Sequence, residues 1–325
     1  MRPARKQVSL AFALAILFPG VSHPADGQRV YRIGALVSAD EFVPAFDGFK
    51  KKMIEFGYKE GKNVVYELHN AKGDSAALAR LAKQLIQDRP DLVVTTSSSS
   101  TLPVAQASAG TAIPVVFLSA GEPLRFAKSY GSSGNNLTGI STAVVDLTEK
   151  RLELLKELAP WVKRVALLAN PLAATYNRHL VAMKKGCKKL QLQVLEKNAS
   201  NREEIAKVAP SLNRKTIDAI VMQPDMTLGG HIDLVDDQAI REKLPLIPPP
   251  AFIKRGGLAT YGPDNAALGS QGAVLVDKIF KGARPADLPI EQPAKLNLVI
   301  NLRTARAIGF KIPKDVLLRA DQIIE

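Results

Sequence analysis

Beyond residue 29, short apolar runs rich in β-branched residues alternate with longer stretches in which apolar positions recur every third or fourth residue. The runs at 30–37, 63–68, 91–94 and 113–118 predict strands, and the shortest and most apolar of them suit a parallel sheet covered on both faces. Between them, Phe42, Phe46, Phe49, Met53 and Phe56, then Leu78, Leu81, Leu85 and Ile86, mark helices with one apolar face. A third helix is predicted over 102–109. Four such β–α units in series make one doubly wound lobe. The turn-rich GSSGNNLTG at 131–139 breaks the pattern where a first lobe should end; it lacks the spacing of a phosphate loop and reads as a hinge or surface turn. A second series follows, with strands at 164–169, 191–195 and 218–222, the apolar LPLIP, and helices from Thr148, over 174–190, 202–212 and 232–243. The remainder predicts a helix over 265–280, a linker punctuated by Pro285, Pro289 and Pro293, a strand over 296–300 and a helix near Thr304. The expected fold class is α/β, with two doubly wound lobes and a hinge.

In open α/β sheets, ligands sit beyond the carboxyl ends of the strands. The stretch DLVVTTSSSST at 91–101 is a strand emptying into hydroxyls, which places Thr96, Ser97 and Ser98 where a ligand is expected. A helix starting just after them would add free N–H groups, making a neutral donor cluster suited to a carboxylate. The same residues also read as a simple helix cap. Ser38 follows the first strand, and Ser119 and Glu122 follow the fourth. Asp225 ends the strand at 218–222 in the second series, stiffened by Pro224, and it too reads either as a ligand group or as an N-cap. Phe42 and Phe46, near a helix start, can face either the core or the cleft.

The N-terminus changes where this protein is expected to work. Arg2, Arg5 and Lys6 precede an apolar run over 8–18 and then Pro19-Gly20, the organisation of a secretory signal peptide. Cleavage is expected after Ala25, with a second candidate site near Gly20 and Ser22. The single cysteine, Cys187, allows no intrachain disulfide. Aromatic residues make up 6% of 325, which favours α/β layers over a β-sandwich. The formal net charge is +13, but the basic residues are dispersed and not interleaved with aromatics, so no nucleic-acid partner is expected.

Taken together, YRIGALV, DLVVTTSSS, IPVVFLSAGEP, GNNLTGIS, RVALLANP, GGLATYGPD, KGARPADLPIEQP and LNLVINLRTARAIGF resemble, in that order, the ABC-transporter substrate-binding family that includes tryptophan-binding proteins. The resemblance spans nearly all of the chain after the signal. It implies a type I periplasmic binding-protein fold, two Rossmann-like lobes joined by three crossovers near 137–141, 251–260 and 285–293. The implied division is a signal peptide over 1–25, a first lobe of 26–140 plus 261–285, and a second of 141–260 plus 286–325. It also implies that Thr96, Ser97, Ser98 and Ser119 meet the ligand and that Asp225 faces its ammonium. The chain departs from the usual family pattern at Glu122, where Asp is more common, and at GSSGNN.

The expected function is that of a periplasmic solute-binding protein delivering an amino-acid-like or aromatic solute to an inner-membrane ABC permease, as a monomer, without cofactor or metal. Phe42, Phe117, Tyr176 and Tyr261 are the aromatic candidates for covering the apolar part of the solute. A sensor that reports the ligand to a membrane receptor needs the same cleft. An exported enzyme is disfavoured, because His69, His179 and His231 are scattered and LGSQG is not a nucleophile elbow.

Overall fold

The computed structural model describes residues 29–325; the signal-peptide reading of 1–25 lies outside them. The first five strands are β1 (Tyr31–Val37), β2 (Val64–Asn70), β3 (Leu92–Thr95), β4 (Val115–Ala120) and β5 (Leu137–Ser141), with helices α1 (Val43–Glu55), α2 (Ser75–Gln87) and α3 (Ser98–Ala107) between them. They form one parallel sheet in the order β2-β1-β3-β4-β5. β3, β4 and β5 are buried along their whole length, which is why β3 and β4 read as apolar runs; β5, with the sequence LTGIS, does not.

The second series comprises α4 (Thr148–Leu158), β6 (Arg164–Ala169), α5 (Tyr176–Lys189), β7 (Gln193–Asn198), α6 (Arg202–Val208), β8 (Ala219–Met222), α7 (Met226–Gly230), α8 (Ile232–Arg241) and β9 (Leu246–Ile247). Its parallel sheet runs β7-β6-β8-β9. The chain continues through β10 (Ala259–Gly262), α9 (Asn265–Phe280), β11 (Asn297–Asn301), α10 (Leu302–Ala307), α11 (Lys314–Leu318) and β12 (Gln322–Ile324). Strands β10, β11 and β12 make a small mixed sheet on the second unit, and the Leu258 N–H donates to the Leu246 carbonyl to join the two.

Helix α9 returns to the first unit because two glycines let it approach α1 closely. A Cβ on Gly48 would stand 2.0 Å from the Ala266 carbonyl oxygen, and one on Gly269 would stand 1.7 Å from that of Ala45. Two helix backbones meet there with no side chain between them.

Backbone pairing puts the first and third crossovers at or within the expected stretches and the second just past 260. Residues 137–141 are β5, paired with β4, and the chain leaves the first sheet only after Ser141. In β10, Tyr261 pairs with Leu298, so residues 261 and 262 belong with the second unit and the crossing falls at Pro263-Asp264. The third segment stays on the first unit through Glu291, whose N–H donates to the Gly139 carbonyl (3.0 Å) and whose carbonyl accepts from the Ser141 N–H (2.8 Å). β5 is the edge strand of the first sheet, and the backbone of Glu291 pairs with that edge. GSSGNN is a surface turn, closed by the Lys128 N–H on the Ser133 carbonyl at 2.8 Å. β12 was not expected from the sequence.

Candidate functional site

The carboxyl ends of both parallel sheets open onto one cavity of about 360 Å³, within the usual size for a small-molecule site. Its first wall is the start of α3. Ser97 is the N-cap: its hydroxyl accepts from the Ser100 N–H (3.2 Å) and donates to Ser38 Oγ (2.9 Å). The Ser119 hydroxyl donates to the Thr96 carbonyl. Both hydroxyl protons are therefore directed inward. Ser98 differs, since its oxygen accepts the Glu122 N–H at 3.0 Å and its own proton stays free. The first-turn N–H groups of Ser98 and Ser99 have no helical carbonyl to meet. The donor face that lines the cavity is thus Ser98 and Ser99, held in place by Ser97, Ser38 and Ser119.

The opposite wall comes from the second unit. Asp225 caps α7 by accepting the Leu228 N–H at Oδ1 (3.0 Å), and its Oδ2 accepts from Asn170 Nδ2 (3.3 Å). Burial pushes the Asp225 carboxyl above the usual aspartate value, opposed by those hydrogen bonds. Behind it, Gln223 is fully buried: its Oε1 accepts the Asn170 N–H (2.8 Å), and its Nε2 donates to Thr175 Oγ1 (2.9 Å). This row fixes Asn170, and Asn170 fixes one carboxylate oxygen. Asp225 lines the cavity with carboxylate lone pairs to spare.

The apolar walls are Phe42 from the first unit and Pro249, Pro250 and Phe252 from the second. Phe42 and Phe252 meet edge to face, centroids 6.4 Å apart. Phe252 packs over Gly229, where any Cβ would come within 2.2 Å of the ring. Glu122 also lines the cavity; burial raises its carboxyl, and Arg125, 3.8 Å away, works against that shift.

The sequence candidates divide accordingly. Phe42, Ser97, Ser98, Ser119, Glu122 and Asp225 border the cavity. Ser38 stands behind it as a partner of Ser97. Thr96 does not border it: the side chain turns inward, 1% exposed, and Oγ1 has no hydrogen-bond partner. Phe117 is core, packed edge to face on Phe126 at 5.2 Å, and Phe46 stacks on Phe49. Tyr176 points away, its hydroxyl 3.2 Å from Glu196 Oε2, and Tyr261 packs on the second unit's core. Asn170, Phe252 and Gln223 were not singled out. Asn170 had a readable signal, since it follows β6 as Asp225 follows β8; Phe252 had none, because a proline-flanked aromatic between strands reads equally as core. Among the described residues no cluster of His, Cys, Asp and Glu is arranged to hold a metal, and no helix is long and apolar enough to cross a membrane.

A profile of the family described as "ABC transporter substrate binding protein" matches residues 32–324. The chain belongs to this family. As an ABC transporter substrate binding protein it is a solute-binding component that works with a transporter, not an enzyme. It is 27% identical over 289 residues to a tyrosine-binding protein of Clostridioides difficile, covering 87% of this chain and 82% of that protein. Its structure is similar to that of the ABC domain from Streptococcus pneumonia in complex with L-Trp, with TM-score 0.81 and 27% identity over 91% of this chain and all of that one. A conserved domain protein from Vibrio cholerae matches with TM-score 0.82 and 25% identity, covering 91% of this chain and 100% of that chain. The doubly wound α/β architecture expected from the sequence is the architecture of these proteins.

Proposed function

We propose that this substrate binding protein carries an aromatic L-amino acid. The observation that supports the reading is a single cavity with neutral donors at Ser98 and Ser99, a half-buried carboxylate at Asp225 and an aromatic edge-to-face pair beside them. The donors suit an α-carboxylate and Asp225 suits an α-ammonium. Phe42, Phe252 and the adjoining prolines give a ring a flat apolar slot. The tyrosine and tryptophan named in the relatives fit that division of labour. In this reading the signal at 1–25 takes the chain to the periplasm, where it acts as a monomer, and closure of the two lobes presents it to an inner-membrane ABC permease.

The test is a thermal-shift panel of L-tyrosine, L-tryptophan and L-phenylalanine against tyramine, 4-hydroxyphenylpropionate and glucose. A bound amino acid at 100 times its dissociation constant adds about 2.7 kcal/mol of stability. The amine and the acid, each lacking one charged group, are expected to give little shift. Equal shifts with tyramine and tyrosine would end the carboxylate assignment.

A further inference from the structure

Next to Phe42 and Phe252, an ion pair joins the two lobes. Glu41 belongs to the turn just before Phe42 in the first lobe, and Arg255 follows Phe252 in the second. Arg255 Nη1 donates to Glu41 Oε1 at 2.7 Å. The same guanidinium donates to the last carbonyls of α7, at 3.4 Å to Gly229 and 3.0 Å to Gly230, and its Nη2 lies 3.5 Å from Asp233 Oδ1. The Glu41 carbonyl in turn accepts from Asn265 Nδ2 at 3.1 Å, and Asn265 lines the ligand cavity. Both charged residues border a second recess of about 460 Å³, and Met226 is common to the two linings.

Two features make this contact more than a surface ion pair. Glu41 is shielded, with 16% of its side chain exposed against 38% for Arg255. Arg255 is also tied to the helix whose N-cap is Asp225, so one five-residue element carries the ammonium partner at one end and the cross-lobe cation at the other. If the lobes part, Arg255 keeps Gly229, Gly230 and Asp233, while Glu41 regains water. Breaking the contact leaves no buried charge unpaired, which makes it reversible.

We propose that Glu41 and Arg255 are positioning residues for ligand capture: their ion pair holds the lobes shut behind the solute and couples closure to the placement of Asp225 through α7. The proposal rests on the assignment of the cavity as the ligand site.

The experiment uses the mature protein with Glu41→Gln, Arg255→Gln and the double variant. Lobe separation is measured without ligand by small-angle scattering, and dissociation and association rates of L-tyrosine and L-tryptophan by stopped flow. Each single variant is expected to open the ligand-free protein and to raise the dissociation rate roughly two- to fivefold, with association nearly unchanged. The double variant should be no worse than either single one. High salt should speed dissociation from the wild type and not from Glu41→Gln. Unchanged lobe separation and dissociation in Glu41→Gln, or additive losses in the double variant, would overturn the proposal. Opening of the ligand-free Glu41→Gln protein in the absence of any amino-acid binding would uphold the latch and remove the ligand assignment.

Discussion

Asn170 Nδ2 donates to Asp225 Oδ2 at 3.3 Å, tying the carboxyl end of β6 to that of β8 directly beneath the cavity. The bond holds the second carboxylate oxygen of a helix cap beside the cavity. One carboxylate oxygen caps α7 and the other is aimed and partly satisfied, with lone pairs left for a cation.

Replacing Asp225 by Asn keeps the cap acceptor and removes the charge. Loss of a charge-assisted contact worth about 1.5–3 kcal/mol should weaken amino-acid binding roughly 10- to 100-fold. The ligand-free protein should melt close to the wild type at neutral pH, relief of the desolvated charge being offset by loss of the Asn170 bond to Oδ2. The sign follows from burial: the folded pKa of Asp225 is raised, so its ionised form costs stability above that pKa, and the cost disappears below the unfolded value. Calorimetric binding and thermal melts of both proteins check this.

Binding should also depend on pH. With the Asp225 carboxyl raised by burial, a proton must leave before an ammonium can dock, so affinity is level above the raised pKa and falls about tenfold per pH unit below it. The decline should begin at a higher pH than an ordinary aspartate would give. A titration calorimetry series in acid measures it; affinity that stays level down to the ordinary aspartate range excludes Asp225 as the ammonium partner.

Thr96 and Ser98 are expected to behave in opposite ways. Thr96→Val removes a buried hydroxyl that has no partner and should leave binding intact, with stability unchanged or raised. Ser98→Ala removes a hydroxyl that lines the cavity and should weaken binding, with a modest loss of stability because the Glu122 N–H loses its acceptor. Measuring both affinities side by side separates the hydroxyl that binds from the one that does not.

Gln223→Leu should destabilise without touching the ligand. It strands the buried Asn170 N–H and the Thr175 hydroxyl, at about 1–3 kcal/mol. A melting temperature lower by several degrees, with affinity also reduced because Asn170 loses its anchor, is the expected result.

Gly229→Ala adds one methyl group where the Phe252 ring lies 2.2 Å from the added carbon. The ring must move, and it is an aromatic wall of the cavity. Weaker binding of aromatic amino acids is expected, and Phe252→Leu in the same background should relieve the clash; a melting curve and a binding isotherm for each variant test it.

Much of this site was readable beforehand because strand ends and caps are local features. Asp225, Ser97 and Ser98 sit where a short apolar run stops and a helix starts, and both signals span a few residues. Thr96 was misjudged because one residue decides which way a side chain faces as a strand ends, and the hydroxyls around it are indistinguishable in sequence. Tyr176 and Tyr261 were misjudged for a related reason: an aromatic near a strand end is only useful if its own element turns it toward the cleft. Phe252 needed the fold, because its partner Phe42 lies in the other lobe and its room comes from Gly229.

The amino-acid sequence by itself determined the alternation of strands and helices, the division into two doubly wound units, and the presence of hydroxyls and an acid at strand ends. Those depend on periodicity and capping within a few residues of each other. Tertiary structure decided where the chain crosses between lobes, which hydroxyl protons remain free, and that Glu41 meets Arg255, 214 positions away. These are outcomes of pairing at free strand edges and of close approach at glycines such as Gly48 and Gly269, where the geometry of two distant segments is settled only when they pack.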